Sequence, residues 1–301
     1  LWRNVGVVRD FLRAVITARD IIREFKPQIV IGVGGYASAP TLKAAQSLGV
    51  PTLIREQNSY AGVTNKFLAR RADKICVAYP DMERFFPKDK IVLTGNPIRP
   101  AIEHLKVERR EALEHFGLPL DTERVVVVVG GSLGARSINE SIGSRLKDWA
   151  DSGVALIWQT GVAFEEKARE LLAGYHFPVY SSAFIQRMDL AYTIADVVVS
   201  RAGASAISEL CLLGKPTILV PSPNVAEDHQ TKNALALSTR SAAILIPDKE
   251  AREELTPRAI ALVKDATQCA SLSEEIRKLA LTSAADKIVD EVEALLSSKK
   301  E

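Results

Sequence analysis

Four turns in this 301-residue chain carry residue types suited to a phosphorylated, hydroxyl-rich ligand. The densest is DVVVSRAGASAISEL (196–210), where an apolar strand runs into Arg-Ala-Gly and then a helix bearing Ser205, Ser208 and Glu209. Gly203 at a helix start can offer free N–H groups to a phosphate. A Ser-x-x-Glu capping box does not fit, because Ser208 stands three residues after Ser205 and Ala206 three before Glu209. Glu209 instead lies one helical turn from Ser205, on the same face. A carboxylate touching a phosphate would repel it, so Glu209 reads as reaching past it to neutral hydroxyls such as a ribose pair. The alternative is an acid simply favoured by the helix dipole.

The second turn, VVVVVGGSLGARSINESI (125–142), sets Gly130, Gly131 and Gly134 after five valines, with a hydroxyl at Ser132. Exposed backbone N–H groups at a helix start make an anion site, and the missing GK[ST] ending disfavours a Walker-type ATPase. In IGVGGYASAP (31–40), Gly32, Gly34 and Ala37 have the GxGxxA spacing, and Glu56 ends the next strand. That spacing is compatible with a dinucleotide site, so an NAD(P)-dependent oxidoreductase stays open, as does a plain strand-to-helix turn. The fourth turn, VPSPNVAEDHQTKNA (220–234), gathers polar donors and acceptors at a helix start, which suits sugar hydroxyls or simply water.

These turns need a scaffold of alternating strands and helices. The spacing predicts a helix over 7–25, with Phe11, Val15, Ala18, Ile22 and Phe25 in one stripe. Short apolar runs follow at 28–33, 51–56, 74–79 and 90–95, with helices from about Pro40 and near 62–71. GNPIRP (95–100) breaks the rhythm and reads as a hinge. The alternation resumes with strands at 124–131, 154–160, 177–181, 196–200, 216–221 and 242–247, a helix over about 134–149 and two terminal helices. This is an α/β chain of two Rossmann-type domains, 1–96 and 97–301, each a parallel sheet covered by helices. Ligands in such sheets sit at the carboxyl ends of the strands.

Composition narrows the class further. Hydrophobic residues at 47% and charged residues at 25% exclude a disordered chain. A net charge of +2 is too small for nucleic acid to be the main partner. Cys76, Cys211 and Cys269 are scattered without a CxxC pair, as are four histidines, so neither a disulfide framework nor a metal cluster is indicated. No apolar run approaches the ~18 residues that a membrane-spanning helix needs.

Taken in series, GVGGYASAP, EQNSYAGVTNK, GNPIR, GGSLGARSIN, SRAGASAISEL and DHQTKNA resemble the MurG family, over essentially the whole chain. That family transfers N-acetylglucosamine (GlcNAc) from UDP-GlcNAc to lipid I, giving lipid II for the bacterial cell wall. The resemblance implies a GT-B fold with an interdomain cleft, the donor on the C-terminal domain and the acceptor on the N-terminal one. By motif, Arg99, Gly131 and Ser132 should contact the donor nucleotide, and Ile185 should meet uracil through its backbone. Ala204, Ser205 and Ala206 should hold the pyrophosphate, and Glu209 the ribose. His229, Gln230 and Asn233 should face the GlcNAc hydroxyls. Gly34, Gly35, Tyr36 and Ser38, with Glu56, Gln57 and Asn58, should line the acceptor cleft. The last helix is expected to pack back on the first domain.

The implied chemistry is one in-line displacement with inversion at the anomeric carbon, forming a β-1,4 bond to the muramyl C4 hydroxyl. A general base takes the acceptor proton, and the leaving UDP is stabilised by the N–H groups at 203–206. No DxD-like pair marks a metal, so no cofactor is expected, and Glu56 is the candidate base or orienting group. The chain departs from the family pattern twice. Ala206 stands where threonine is usual, and the family's initial GGTGGH-like turn has no match, so donor binding with impaired turnover is the expectation, and a non-catalytic UDP-sugar-binding protein the alternative. Since lipid I is membrane-anchored, a peripheral position on the cytoplasmic face of the cell membrane follows. Trp2, Arg3, Arg9, Phe11, Leu12 and Arg13 are the candidate basic and apolar patch.

Overall fold

The computed structural model describes residues 2–131 and 133–298, and side chains from Gly6 onward. Two compact units share the chain: one runs to Pro97 and resumes at Ser283, and the other is Ile98–Thr282.

The first unit opens on α1 (Trp2–Phe25) and continues through β1 (Val30–Gly32), α2 (Ser38–Ser47), β2 (Thr52–Glu56), α3 (Val63–Ala69), β3 (Lys74–Val77) and β4 (Ile91–Leu93). Its four strands pair in sequence order and all run parallel. Leu53, Ile54, Ile75 and Cys76 are fully buried, as expected of short strands in a helix-covered parallel sheet. Ala18 and Ile22 of α1 pack on Ala44 and Ala45 of α2, with Val15 alongside. Phe25, expected in the same stripe, is 78% exposed because it closes the helix outside that cluster.

The second unit starts with two short helices, α4 (Pro100–Glu103) and α5 (Arg109–His115). It continues with β5 (Val125–Val129), α6 (Arg136–Ser144), α7 (Leu146–Ser152), β6 (Ala155–Gln159), α8 (Val162–Leu172) and β7 (Val179–Ser182). Then come α9 (Met188–Ile194), β8 (Val197–Ser200), α10 (Ala204–Leu213), β9 (Thr217–Leu219), α11 (His229–Ser238), β10 (Ile244–Leu245), α12 (Ala251–Lys264) and α13 (Ala266–Arg277). The chain returns to the first unit as α14 (Ala284–Ser297), where Glu291 pairs with Lys74 at 3.2 Å.

All six strands of the second unit are parallel, in the order β10-β9-β8-β5-β6-β7. The chain builds outward from β5 through β6 to β7, then crosses back to lay β8 on the other side of β5. The carboxyl ends of β5 and β8 therefore flank the topological switch point, where a crevice opens. Val125–Val128 are fully buried, and Trp149 and Trp158 fill the core beside them.

Two local expectations change. The single helix over 134–149 is broken at Arg145 (φ −129°), directly after Gly143 and Ser144, both weak helix formers. Three helices rather than two close the chain, because Asp265 (φ −97°, ψ 88°) leaves helical geometry between α12 and α13 and caps the Gln268 N–H at 2.9 Å.

Candidate functional site

At the switch point of the second unit lies a cavity of about 600 Å³, lined from the β5 turn by Gly130, Gly131 and Gly134 and from the β8 turn by Gly203 and Ala206. The β5 turn is shaped by backbone contact. A Cβ on Gly130 would lie 2.6 Å from the Ala135 nitrogen, and one on Gly134 (φ +79°) would lie 2.4 Å from the Thr160 carbonyl. Behind the first turn, buried Asn139 donates to the Thr160 carbonyl at 2.6 Å and accepts from the Trp158 indole at 3.0 Å. Gly203 is the extended N-cap of α10, with no side-chain cap on that helix start. The uncapped N–H groups of that helix start border the cavity, which Gly203 and Ala206 line. Ser132 lies outside the described residues, as do the side chains of Trp2 and Arg3.

Glu209, one turn into α10, is 7% exposed. Arg99 donates to its Oε1 through Nε at 3.0 Å and Nη2 at 2.9 Å, and the Tyr192 hydroxyl donates to Oε2 at 3.2 Å. Burial, reinforced by the Glu209 charge, drives the Tyr192 phenol far above its ordinary value and keeps it a donor. Arg99 and Glu209 are thus joined, while Ser205 is exposed and does not line the cavity.

Gln230 and Asn233 are partly committed to the protein itself. Gln230 Oε1 accepts from the Ala202 N–H at 3.2 Å and the Ser222 N–H at 2.9 Å, and Asn233, 1% exposed, donates to the Ala202 carbonyl at 3.3 Å. They hold the β8 turn against the loop after β9. His229 follows two residues in left-handed geometry, Glu227 (φ 54°) and Asp228 (φ 53°). Its buried Nε2 makes no hydrogen bond among the described residues and lies 3.6 Å from Glu227 Oε2. Such strain in non-glycine residues concentrates at functional sites. Ile185 is 2% exposed, and its N–H is taken by Gln159 Oε1 at 3.1 Å, while Gln159 Nε2 donates to the Gly131 carbonyl at 2.9 Å. One buried glutamine thereby ties the Ile185 segment to the glycine turn.

In the first unit, Gly34 (φ +95°) and Gly35 (φ +78°) need positive φ, and Ser38 Oγ closes the turn on the Gly35 carbonyl at 2.9 Å. Tyr36 is 90% exposed, and Gln57 lies against Gly34. Gln57 Oε1 is buried without a hydrogen bond among the described residues. Glu56 is 2% exposed, with Oε1 taking the Asn58 N–H at 3.1 Å and Oε2 taking the Gly62 N–H at 3.0 Å and Asn65 Nδ2 at 2.8 Å. Both oxygens are spent on shaping the 57–65 turn. That geometry suits an orienting group and argues against a base reaching for an acceptor hydroxyl. Gly32 has a packing reason of its own, since a Cβ there would meet Leu42 Cδ1.

Sequence reasoning missed Ser137, Asn139, Gln159 and Asp248 and left Arg201 without a role. An arginine directly after the strand Val197–Ser200 was a usable signal. The others acquire their place only from partners far along the chain. No group of three or more potential ligands for a metal occurs among the described residues, and no helix there is long and apolar enough to cross a membrane.

Two family models match the chain: the glycosyltransferase family 28 N-terminal domain over residues 1–77 and the family 28 C-terminal domain over 125–291. With two parallel-sheet Rossmann-type units, these define a family 28 glycosyltransferase of the GT-B fold. A Porphyromonas gingivalis (strain W83) protein is 60% identical over all of this chain and 79% of its own length, and a Parabacteroides distasonis protein is 55% identical over 99% and 81%. Both are named UDP-N-acetylglucosamine--N-acetylmuramyl-(pentapeptide) pyrophosphoryl-undecaprenol N-acetylglucosamine transferase. The crystal structure of Acinetobacter baumannii MurG superposes with a TM-score of 0.75 at 29% identity, covering 95% of this chain and 80% of that one. The chain belongs to the MurG family.

Proposed function

We propose that this chain transfers GlcNAc from UDP-GlcNAc to the muramyl C4 hydroxyl of lipid I, with inversion, to give lipid II for peptidoglycan synthesis, and so serves cell shape and division. The carrying observation is the cavity at the β5/β8 switch point, where a glycine turn and the N-terminus of α10 line the same cavity and can share one anion. A diphosphate fits there, and its leaving charge is met by backbone N–H groups without a metal or other cofactor. Glu209, turned by Arg99 and Tyr192, takes the ribose hydroxyls. The Ile185 backbone borders uracil through its carbonyl, since its N–H is engaged. His229, at the start of α11, faces the sugar, and Gln230 and Asn233 hold the wall beside it.

The exposed Tyr36 and the glycine turn at 34–35 receive the acceptor, with Gln57 and Asn58 beside them. Glu56 sets their geometry. Peripheral attachment to the cytoplasmic leaflet runs through α1. Leu12 is 56% exposed there between Val8 and Ile16 on one ridge, with Arg9 and Arg13 exposed alongside. Phe11 takes a lesser part, being half-buried and edge-on to Phe67 at 6.4 Å.

The test is transfer of labelled GlcNAc from UDP-GlcNAc to lipid I, with UDP-GlcNAc and NADH titrated in parallel. Lipid II formation is expected. UDP-GlcNAc binding without transfer selects a non-catalytic UDP-sugar-binding protein. NADH binding without UDP affinity overturns the reading.

A further inference from the structure

Three residues from three distant segments meet on the wall of the donor cavity. Arg201, at the end of β8, donates through Nη1 to Asp248 Oδ1 at 2.5 Å and to the carbonyls of Val220 and Pro221 at 3.0 and 3.1 Å. Its Nη2 donates to Ser137 Oγ at 3.1 Å, and that hydroxyl donates to the same Asp248 Oδ1 at 2.5 Å. Arg201, Ser137 and Asp248 all line the cavity. Asp248 keeps 25% of its side chain exposed, and its Oδ2 accepts no hydrogen bond from a described residue. The carboxylate is therefore fixed through one oxygen and leaves the other available to a ligand.

The sheet order says which part of the ligand that is. The Ile185 segment follows β7, at one end of the sheet, and Asp248 follows β10, at the other, with the β5/β8 switch point between them. A diphosphate at the switch point with its nucleoside toward the β7 end sends its sugar toward β9 and β10. The Asp248 backbone follows β10, two strand spacings or roughly 10 Å from β8, and its carboxylate meets Ser137 and Arg201 in the cavity whose β9 side is lined by Ser222, Asn224 and Gln230. A bare carboxylate beside a diphosphate would repel it. One neutralised by Arg201 and set at the sugar end meets neutral hydroxyls, for which a carboxylate oxygen is a strong acceptor.

We infer that Asp248, held by Ser137 and Arg201, is a specificity-determining residue that accepts a hydrogen bond from a hydroxyl of the transferred sugar. The inference rests on the donor reading given above.

The test is calorimetric titration of the full chain and its variants with UDP and with UDP-GlcNAc, reading the ratio of the two affinities. Asp248→Asn is expected to leave UDP binding within about twofold and to shift the ratio against UDP-GlcNAc about tenfold. Ser137→Ala, which removes one of the two bonds that fix the carboxylate, is expected to shift it the same way by about threefold. Near-UV circular dichroism checks folding, and Ser137→Ala carries the test if Asp248→Asn does not fold. An unchanged ratio, or an equal loss for UDP and UDP-GlcNAc, overturns the inference. A wild-type chain that binds neither nucleotide overturns the donor reading itself and takes this inference with it.

Discussion

Arg99 and Glu209, 110 positions apart, are joined in a charge-assisted fork, with two guanidinium nitrogens at 2.9 and 3.0 Å from one carboxylate oxygen. Tyr192 holds the other oxygen, so the acid projects from α10 in a fixed direction. Arg99 remains 55% exposed and keeps its solvation, so the fork serves orientation more than stability.

Glu209→Ala should therefore weaken UDP binding by about tenfold or more while the fold persists, as read by calorimetry and far-UV circular dichroism. Retained UDP affinity would remove the ribose assignment. Tyr192→Phe deletes a buried hydrogen bond to a charged group and should cost about 1.5–3 kcal/mol in urea unfolding.

Glu56→Gln separates orienting from proton transfer. An amide would turn a donor toward the N–H groups of Asn58 or Gly62, so a loss of about 2 kcal/mol is expected in urea unfolding. UDP-GlcNAc affinity should be unchanged. Full stability with abolished transfer would restore Glu56 as the base.

Gly134→Ala should destabilise the second unit by about 2–4 kcal/mol. Its φ of +79° disfavours any side chain, and the new Cβ would strike the Thr160 carbonyl. Thermal unfolding is the measurement, and a neutral result would show that the 160–161 turn yields easily.

The cysteines should be silent to thiol reagents in the native chain, apart from the half-buried Cys269. Burial raises Cys76 from 9.0 to about 11 and Cys211 from 9.0 to about 12. The folded state thus holds these protons more tightly than the unfolded chain does. Stability is fully present below about pH 9 and falls as pH climbs toward 11. Urea midpoints across that range, beside a Cys76→Ala variant with a flatter profile, check the sign.

Leu12→Glu with Ile16→Glu should reduce sedimentation with vesicles that contain anionic lipid, without changing UDP-GlcNAc affinity. Sedimentation that ignores lipid charge in the unmodified chain would remove α1 as the attachment surface.

Much of the scaffold was legible in the residues themselves. The valine run of β5, the apolar triplets in β3 and β8 and the glycines after β5 and β8 are local signals, because strand burial and positive φ act on a few neighbouring residues. The break at Arg145 and the cap at Asp265 were less visible, since each rests on a weak local preference. Glu56 shows the limit. Its position at a strand end was readable, but the turn amides that occupy both its oxygens come from residues two to nine positions further on, folded back around it.

By itself, the sequence determined the class: a parallel α/β chain with glycine turns at strand ends, and motifs in an order that marks its family. The tertiary structure alone decided the pairings. Strand order put β8 beside β5, and so set α10 opposite the glycine turn. It also brought Arg99 to Glu209, and Ser137 and Arg201 to Asp248. Local preference depends on a few adjacent residues and can be read along the chain. A hydrogen bond across a hundred positions depends on which strands become neighbours, and that is fixed only when the whole sheet buries its apolar faces.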